Sequence, residues 1–436
     1  MSSFQDNINE KVIPMILKFV NLKGVIALKD GLMCTLPLTM AGSLFLLLAQ
    51  LPYQQLNDWL SITLGAGWTD PLWKAYGATF NIIALMATMG MAYTYTKNEG
   101  HEPLPAGILA CVVFVLTIRT SVTTKGGEIV GDVIPTAWTG GKGMIAAIAI
   151  GLIVGVVYSW FMKKNIIIKM PEGVPQGVSS AFASLIPSVA IILGATVVYA
   201  IFNWGLQTTL VEWIYKVIQK PLQGMSDSMG GIIVIGFAMP FLWWFGVHGS
   251  TIVGGIIGGL LGSNALDNAA IVASGKELTI ANGAHIVTSQ FTDNFLTFTG
   301  CGITIGLVLS MLLAGKSAQS KTLGKLAIVP ALFNINEPVL FGFPIVMNPF
   351  MFLPFVAVPT ITAISTYLAI KVGFLHPFSG VSLPWTTPPI ISGFILQGWK
   401  GALWQILIMA MATAIYFPFF KKQESINLKA EQEVDQ

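Results

Sequence analysis

The sequence predicts an all-α polytopic membrane protein, with about ten transmembrane helices, two re-entrant hairpins and amphipathic interfacial helices. Three observations predict it. Of the 436 residues, 54% are hydrophobic and 10% charged, against about 25% charged in an average soluble chain. Segments 31–50, 143–162, 183–202 and 402–420 carry no charge at all, and each is long enough to cross a roughly 30 Å hydrocarbon core. Two further apolar stretches, 326–346 and 374–396, are interrupted by proline, glycine and polar residues, as broken elements lining a cavity are.

Taken in order, residues 4–20 place Ile8, Val12, Met15, Ile16 and Phe19 at helical spacing with Lys11 and Lys18 between them. That pattern suits an amphipathic helix on a membrane face. Spans follow at 25–50, 76–96, 103–119, 142–162 and 183–204, then a second amphipathic stretch at 206–223. Further spans are read at 229–247, 249–262, 286–314, 349–371 and 398–420. Lys11, Lys18, Lys23, Lys29, Lys97, Lys163, Lys164, Lys169, Lys316, Lys321, Lys325, Lys421 and Lys422 share one side when the N-terminus is cytoplasmic. Lysine enrichment marks the cytoplasmic side, and an even span count returns the C-terminus there. Lys125 and Lys276 fall on the other side.

Polar groups are unevenly distributed. Residues 1–204 read as a dimerisation or scaffold half, 205–224 as an amphipathic linker, 225–420 as the ligand-binding half and 421–436 as a disordered tail. The glycines 254, 255, 258, 259 and 262 form a small-residue face expected to pack closely against another helix.

Composition excludes several classes. A net charge of +3 gives no basis for nucleic-acid binding, and Arg119 is the only arginine, so a bidentate arginine clamp on phosphate is nearly ruled out. Cys34, Cys111 and Cys301 lie singly in apolar segments without a CxxC pair; they read as core residues, with no metal and no cofactor expected. Ala314-Gly315-Lys316-Ser317 echoes a phosphate loop, but position 310 is serine and no strand precedes it.

The sharpest motif is Asn334-Ile335-Asn336-Glu337-Pro338, inside the first broken stretch. A carboxylate at bilayer depth costs at least about 2.5 kcal/mol and marks function by default, although Glu337 could also serve as the cap of a half-helix. The second motif is Trp243-Trp244-Phe245-Gly246-Val247-His248-Gly249. A histidine between small residues leaves room for a ligand and exchanges protons near neutrality; Trp244 is a candidate for stacking on a sugar or for anchoring at the interface. In the second broken stretch, Trp385 and Thr386 offer an indole and a hydroxyl beside strained backbone, a mixture that suits a polyhydroxyl ligand. Asn294 completes the candidate set, while Asp293 beside it reads as a helix-start residue.

The Trp244–Gly249 and Asn334–Pro338 segments together resemble the membrane-spanning IIC component of the bacterial phosphoenolpyruvate-dependent sugar phosphotransferase system, in its lactose, cellobiose and diacetylchitobiose branch. The resemblance runs over essentially the whole chain. It implies a homodimer in the bacterial cell membrane, taking up a β-linked disaccharide while a separate cytoplasmic IIB phosphoprotein, supplied by IIA, phosphorylates the 6-hydroxyl. It implies that His248 and Glu337 lie near that hydroxyl, with Asn336 and Trp385 in the sugar site, and that the phosphorylated cysteine belongs to IIB. Elevator-like movement is expected by the same analogy. Which of Glu337 and His248 is the base stays open. The alternative is a proton-coupled secondary sugar transporter using the same two residues as a relay.

Overall fold

The computed structural model describes residues 22–49 and 54–434 except Lys125, Glu172, Val247 and Pro344, together with Pro14 and Lys18. The amphipathic helix expected at 4–20 lies outside the described residues.

Among the described residues the regular structure is helical apart from a small exposed hairpin pairing Val122 with Val130 and Thr123 with Ile129. Among the described residues, seven helices are long and apolar enough to cross a membrane. The count rises to eight when Leu210–Ser226 and Met229–Trp244, bent by 73° at their junction, are taken as one span. Leu104–Thr117 and Ile305–Ala314 are apolar but shorter.

The chain divides into two compact units: Met1–Gly224 with Gly255–Leu266, and Met225–Gly254 with Asp267–Gln436. The first is built by close helix crossings. A methyl at Gly151 would overlap the Thr88 carbonyl and the Met91 side chain, and one at Gly31 would overlap Met91. Gly90 sits against the Gly31 carbonyl, and Gly155 against Ala92 and Tyr95. Missing side chains let backbones approach, which is how helices associate where lipid competes for apolar contact. The small-residue face read at 254–262 is different: Gly254, Gly258 and Gly262 meet nothing within 4 Å, while at Gly259 a neighbour, Ile148, presses in. Arg119 is spent here as well. Its Nε and terminal nitrogen donate to Glu212 at 2.7 and 3.0 Å, and the Thr208 hydroxyl adds a third bond to that carboxylate.

The second unit departs most from its expected spans. Residues 286–304 do not form the first half of a long helix. Short turns at Ser289–Phe291 and Thr292–Leu296 lead into a loop, and regular helix resumes at Ile305. Apolar content made this stretch read as a span, but Thr299, Gly300, Gly302 and Ile303 all take positive φ, which no helix accommodates. The 249–262 span extends to Gly249–Ala273. The last helix runs Ile391–Val434 with a break at Gly398, where φ is 64°. Residues 421–434, read from sequence as a disordered tail, continue that helix, and their acids are used: Glu424 accepts from the Ser317 amide and the Ser317 and Ser320 hydroxyls, and Glu431 from the Ala318 and Gln319 amides. The echo of a phosphate loop at 314–317 is therefore a helix start that binds a carboxylate of its own chain.

Candidate functional site

Every candidate residue falls in the second unit. Helix Met229–Trp244 starts on a Ser228 cap, whose hydroxyl accepts from the Gly231 amide at 3.0 Å. It stops because Gly246 takes φ 79°, a left-handed position that costs glycine no side-chain clash. The chain then turns at once into helix Gly249–Ala273. Gly249 is required at that corner, since a methyl there would overlap the Met239 carbonyl.

His248 is the cap of the new helix. Its Nδ1 accepts from the Thr251 amide at 3.2 Å and lies 2.8 Å from the Thr251 hydroxyl. A neutral ring held this way carries its proton on Nε2. The ring is exposed and lies 4.4 Å from that of Trp243. Trp244 faces the other way: it is buried, packs on Phe245 and Phe352, and donates its indole N–H to the Asn348 carbonyl at 2.9 Å.

The other motif sits in the break expected at 326–346. Helix Ala318–Leu332 ends, Asn334 takes φ 65°, and a short helix Glu337–Gly342 begins with Pro338 in its first turn. Proline suits that turn because its amide would be an orphan in any case. Glu337 is exposed at the same N-terminus, where the helix dipole favours its negative charge. The Glu337 carboxylate acts on the His248 ring through space, so the two motifs converge.

The asparagines hold this break together. Asn334 donates to the carbonyls of Trp385 and Thr387 at 2.5 and 2.9 Å and accepts from the Thr299 amide at 2.6 Å. Asn336 is buried and donates to the Cys301 carbonyl at 2.6 Å. One side chain thus brings the NINEP segment, the second broken stretch and the 297–304 loop into contact. Trp385 is 61% exposed, its indole left free of the packing that buries Trp244; Thr386 beside it is half-buried. Asn294 is buried, its carbonyl accepts from Gln405 at 2.7 Å, and its amide nitrogen has no hydrogen-bond partner. Gln405 also accepts from the amides of Ile390 and Gly393, which closes the second broken stretch onto the last helix.

Sequence reasoning missed three features of this unit. Asp293 is exposed on a π-helical turn whose other residues are buried, with Thr292 as its hydrogen-bond partner; π-turns concentrate at functional sites. The loop Thr297–Thr304 was hidden in an apparent span, and the run Thr-Gly-Cys-Gly-Ile-Thr was its one signal. The third is a polar clip. His285 lies 3.0 Å from Asp227 and 3.5 Å from Asp267, Asp227 also accepts from the amides of Ile286 and Val287, and Asn268 bonds both the amide and the carbonyl of His285. Burial opposes charge on His285, but the two carboxylates outweigh it and push its pKa up to about 9. Among the described residues no group of three or more His, Cys, Asp or Glu is placed to hold a metal ion.

Comparison with known proteins supplies the context. The family model for phosphotransferase system EIIC matches residues 29–359. The lichenan permease IIC component of Bacillus subtilis is 35% identical over all of this chain and 97% of its own length. The cellobiose-specific EIIC component of Geobacillus stearothermophilus is 35% identical over 96% of this chain and 94% of its own. The crystal structure of ChbC, the IIC component of an N,N'-diacetylchitobiose-specific phosphotransferase system, superposes with a TM-score of 0.92 at 34% identity, covering 98% of this chain and 99% of that one. With its His248 and Glu337 segments converging in one unit, the chain belongs to the membrane-spanning EIIC family of the phosphotransferase system.

Proposed function

We propose that this EIIC component takes up a β-linked disaccharide of the cellobiose, diacetylchitobiose or lactose class, and that the sugar's 6-hydroxyl is phosphorylated by a cytoplasmic IIB protein charged through IIA. The relatives support the sugar class, since their names cover lichenan, cellobiose and diacetylchitobiose. The lactose-specific EIICB component of Lacticaseibacillus casei matches 98% of this chain with 72% of its own length, leaving room there for a fused B portion.

The observation that carries the chemistry is the pairing of an exposed His248, whose Nδ1 is already taken, with an exposed Glu337. With its proton on Nε2, His248 can donate to the sugar oxygen or the incoming phosphoryl group but cannot accept from the hydroxyl there. Glu337 is then the base. It takes the proton as the sugar oxygen bonds to phosphorus and the phosphorus–sulfur bond to the IIB cysteine breaks, releasing thiolate. Phosphoryl transfer asks chiefly for positioning and charge stabilisation, so a chain with a single arginine suffices when the phosphate arrives on a partner. The exposed indole of Trp385 stacks on a sugar ring, and Thr386 and Asn294 supply polar groups to its rim. Asn334 and Asn336 act by shaping the cavity wall, and Trp244 by anchoring the His248 turn. The protein works in the bacterial cell membrane, in contact with lipid and as a homodimer, with both termini cytoplasmic.

Glu337→Gln keeps the shape and removes the base, so phosphorylation of the sugar should fall about 10²–10⁴-fold while sugar affinity changes little. Near-normal turnover would remove Glu337 from this role. In vesicles the sugar should appear inside as its phosphate, dependent on phosphoenolpyruvate and indifferent to an uncoupler. Uncoupler-sensitive uptake of unmodified sugar would mean a proton-coupled transporter instead.

A further inference from the structure

The loop Thr299–Ile303 is the most strained backbone in the second unit. Four of its five residues take positive φ: Thr299 at 60°, Gly300 at 89°, Gly302 at 90° and Ile303 at 52°. Threonine and isoleucine are β-branched and avoid this region, so the conformation persists only because the surroundings impose it. Those surroundings are specific. Asn334 accepts from the Thr299 amide, Asn336 donates to the Cys301 carbonyl, and Tyr416 donates to the Gly302 carbonyl at 2.8 Å. Gly300 is pressed so closely on Asn336 that a methyl would overlap its Cβ and Cγ, and a methyl at Gly302 would overlap Phe355.

The loop therefore grips the two asparagines of the NINEP segment, and Asn336 is the residue next to Glu337. We propose that the 299–303 loop is the positioning element of the site: it fixes where Glu337 stands relative to His248, and Gly300 is the residue on which that placing depends. The loop holds the acid–base pair in register without touching the reacting atoms. This inference rests on the assignment of Glu337 and His248 to the phosphoryl-transfer step.

The test uses the purified full-length protein with a phosphorylated IIB protein and cellobiose. Gly300→Ala pushes against Asn336 and should displace Glu337, so the turnover number is expected to fall tenfold or more while the sugar dissociation constant stays within about threefold, since remote sugar contacts remain. Gly236→Ala is the structural control: its methyl would overlap the Ala363 side chain in the same unit, a crossing that involves no residue of the loop, so it should lower the melting temperature and keep the turnover number. Asn336→Asp, which cannot donate to the Cys301 carbonyl, should reproduce the turnover defect and decides the matter if Gly300→Ala does not fold. Unchanged turnover in a folded Gly300→Ala, or parallel losses of turnover and affinity, would overturn the positioning role. An inactive Glu337→Gln beside a fully active Gly300→Ala would sink this inference alone; an active Glu337→Gln would sink the assignment beneath it.

Discussion

The two units solve one problem in opposite ways. In the first, long helices run largely unbroken and gain stability by approach, with Gly31, Gly90, Gly151 and Gly155 letting one backbone meet another. In the second, the ladder is broken at 274–288, 297–304, 333–336 and 372–390, and side-chain amides and carboxylates replace it. Asn268, Asn334, Asn336, Gln397, Gln405 and Asp227 each bond backbone groups that no helix satisfies. Burying an amide without a partner costs several kcal/mol in an apolar medium, so each such side chain is obligatory where it stands. Regular helix tolerates substitution at many positions, whereas a broken segment concentrates its stability in a few polar residues. That concentration leaves the Glu337 carboxylate, the Trp385 indole and the Nε2 side of the His248 ring open to a ligand.

The contrast predicts its largest effect at Asn334. Truncation to alanine strands the Thr299 amide and two carbonyls, each loss worth about 1–3 kcal/mol, and removes a residue type that tolerates the left-handed backbone. Asn334→Ala should lower the melting temperature in detergent more than any single glycine substitution in the first unit, and should abolish uptake. A wild-type melting curve would break the comparison outright.

Part of this contrast was legible in the sequence. Proline and glycine around Glu337 and around Trp385 announced broken backbone, because neither sits comfortably inside a helix, and the two motifs singled out His248 and Glu337 as candidates. The 286–304 break was not legible. Its residues are apolar or hydroxylic, and nothing in local propensity foretells that Thr299 and Ile303 adopt positive φ, a choice made by tertiary contacts. The backbone partners of Asn334 and Asn336 were not legible for a related reason: a polar side chain in an apolar segment signals that it has a partner, but not whether that partner is a ligand or the chain's own carbonyl. The charged stretch after 420 looked solvated because its acids find their partners, the helix start at 316–320, about a hundred residues away in sequence.

A smaller effect, with a distinct pH signature, is expected at the clip of Asp227, His285 and Asp267. The folded pKa of His285, about 9, lies above the unfolded value of about 6.5. Its stabilisation is therefore complete below the unfolded value and is lost as pH rises through about 9. His285→Gln should melt below wild type at about pH 6, and the gap should close by about pH 10 as the wild type loses the charge. A gap that is constant with pH would mean that packing of the ring, and not its charge between two carboxylates, ties 285–287 in place.

The smallest effect separates glycines that are needed from glycines that only look needed. Gly151→Ala inserts a methyl into the Thr88 carbonyl and the Met91 side chain, an overpacking that should cost about 1–3 kcal/mol. Gly258→Ala adds the same methyl where nothing lies within 4 Å, and alanine exceeds glycine in helix propensity by up to about 1 kcal/mol. The second substitution should therefore be neutral or slightly stabilising, although glycines 254, 258 and 262 share the four-residue spacing of Gly151 and Gly155. Thermal melts of the two variants side by side give the answer. If Gly258→Ala proves as costly as Gly151→Ala, a helix from outside the chain must lie on that face, and the site of close packing would extend beyond a single copy. If it is neutral, small residues at four-residue intervals do not by themselves mark a crossing, and only the neighbour's approach decides which glycine is irreplaceable.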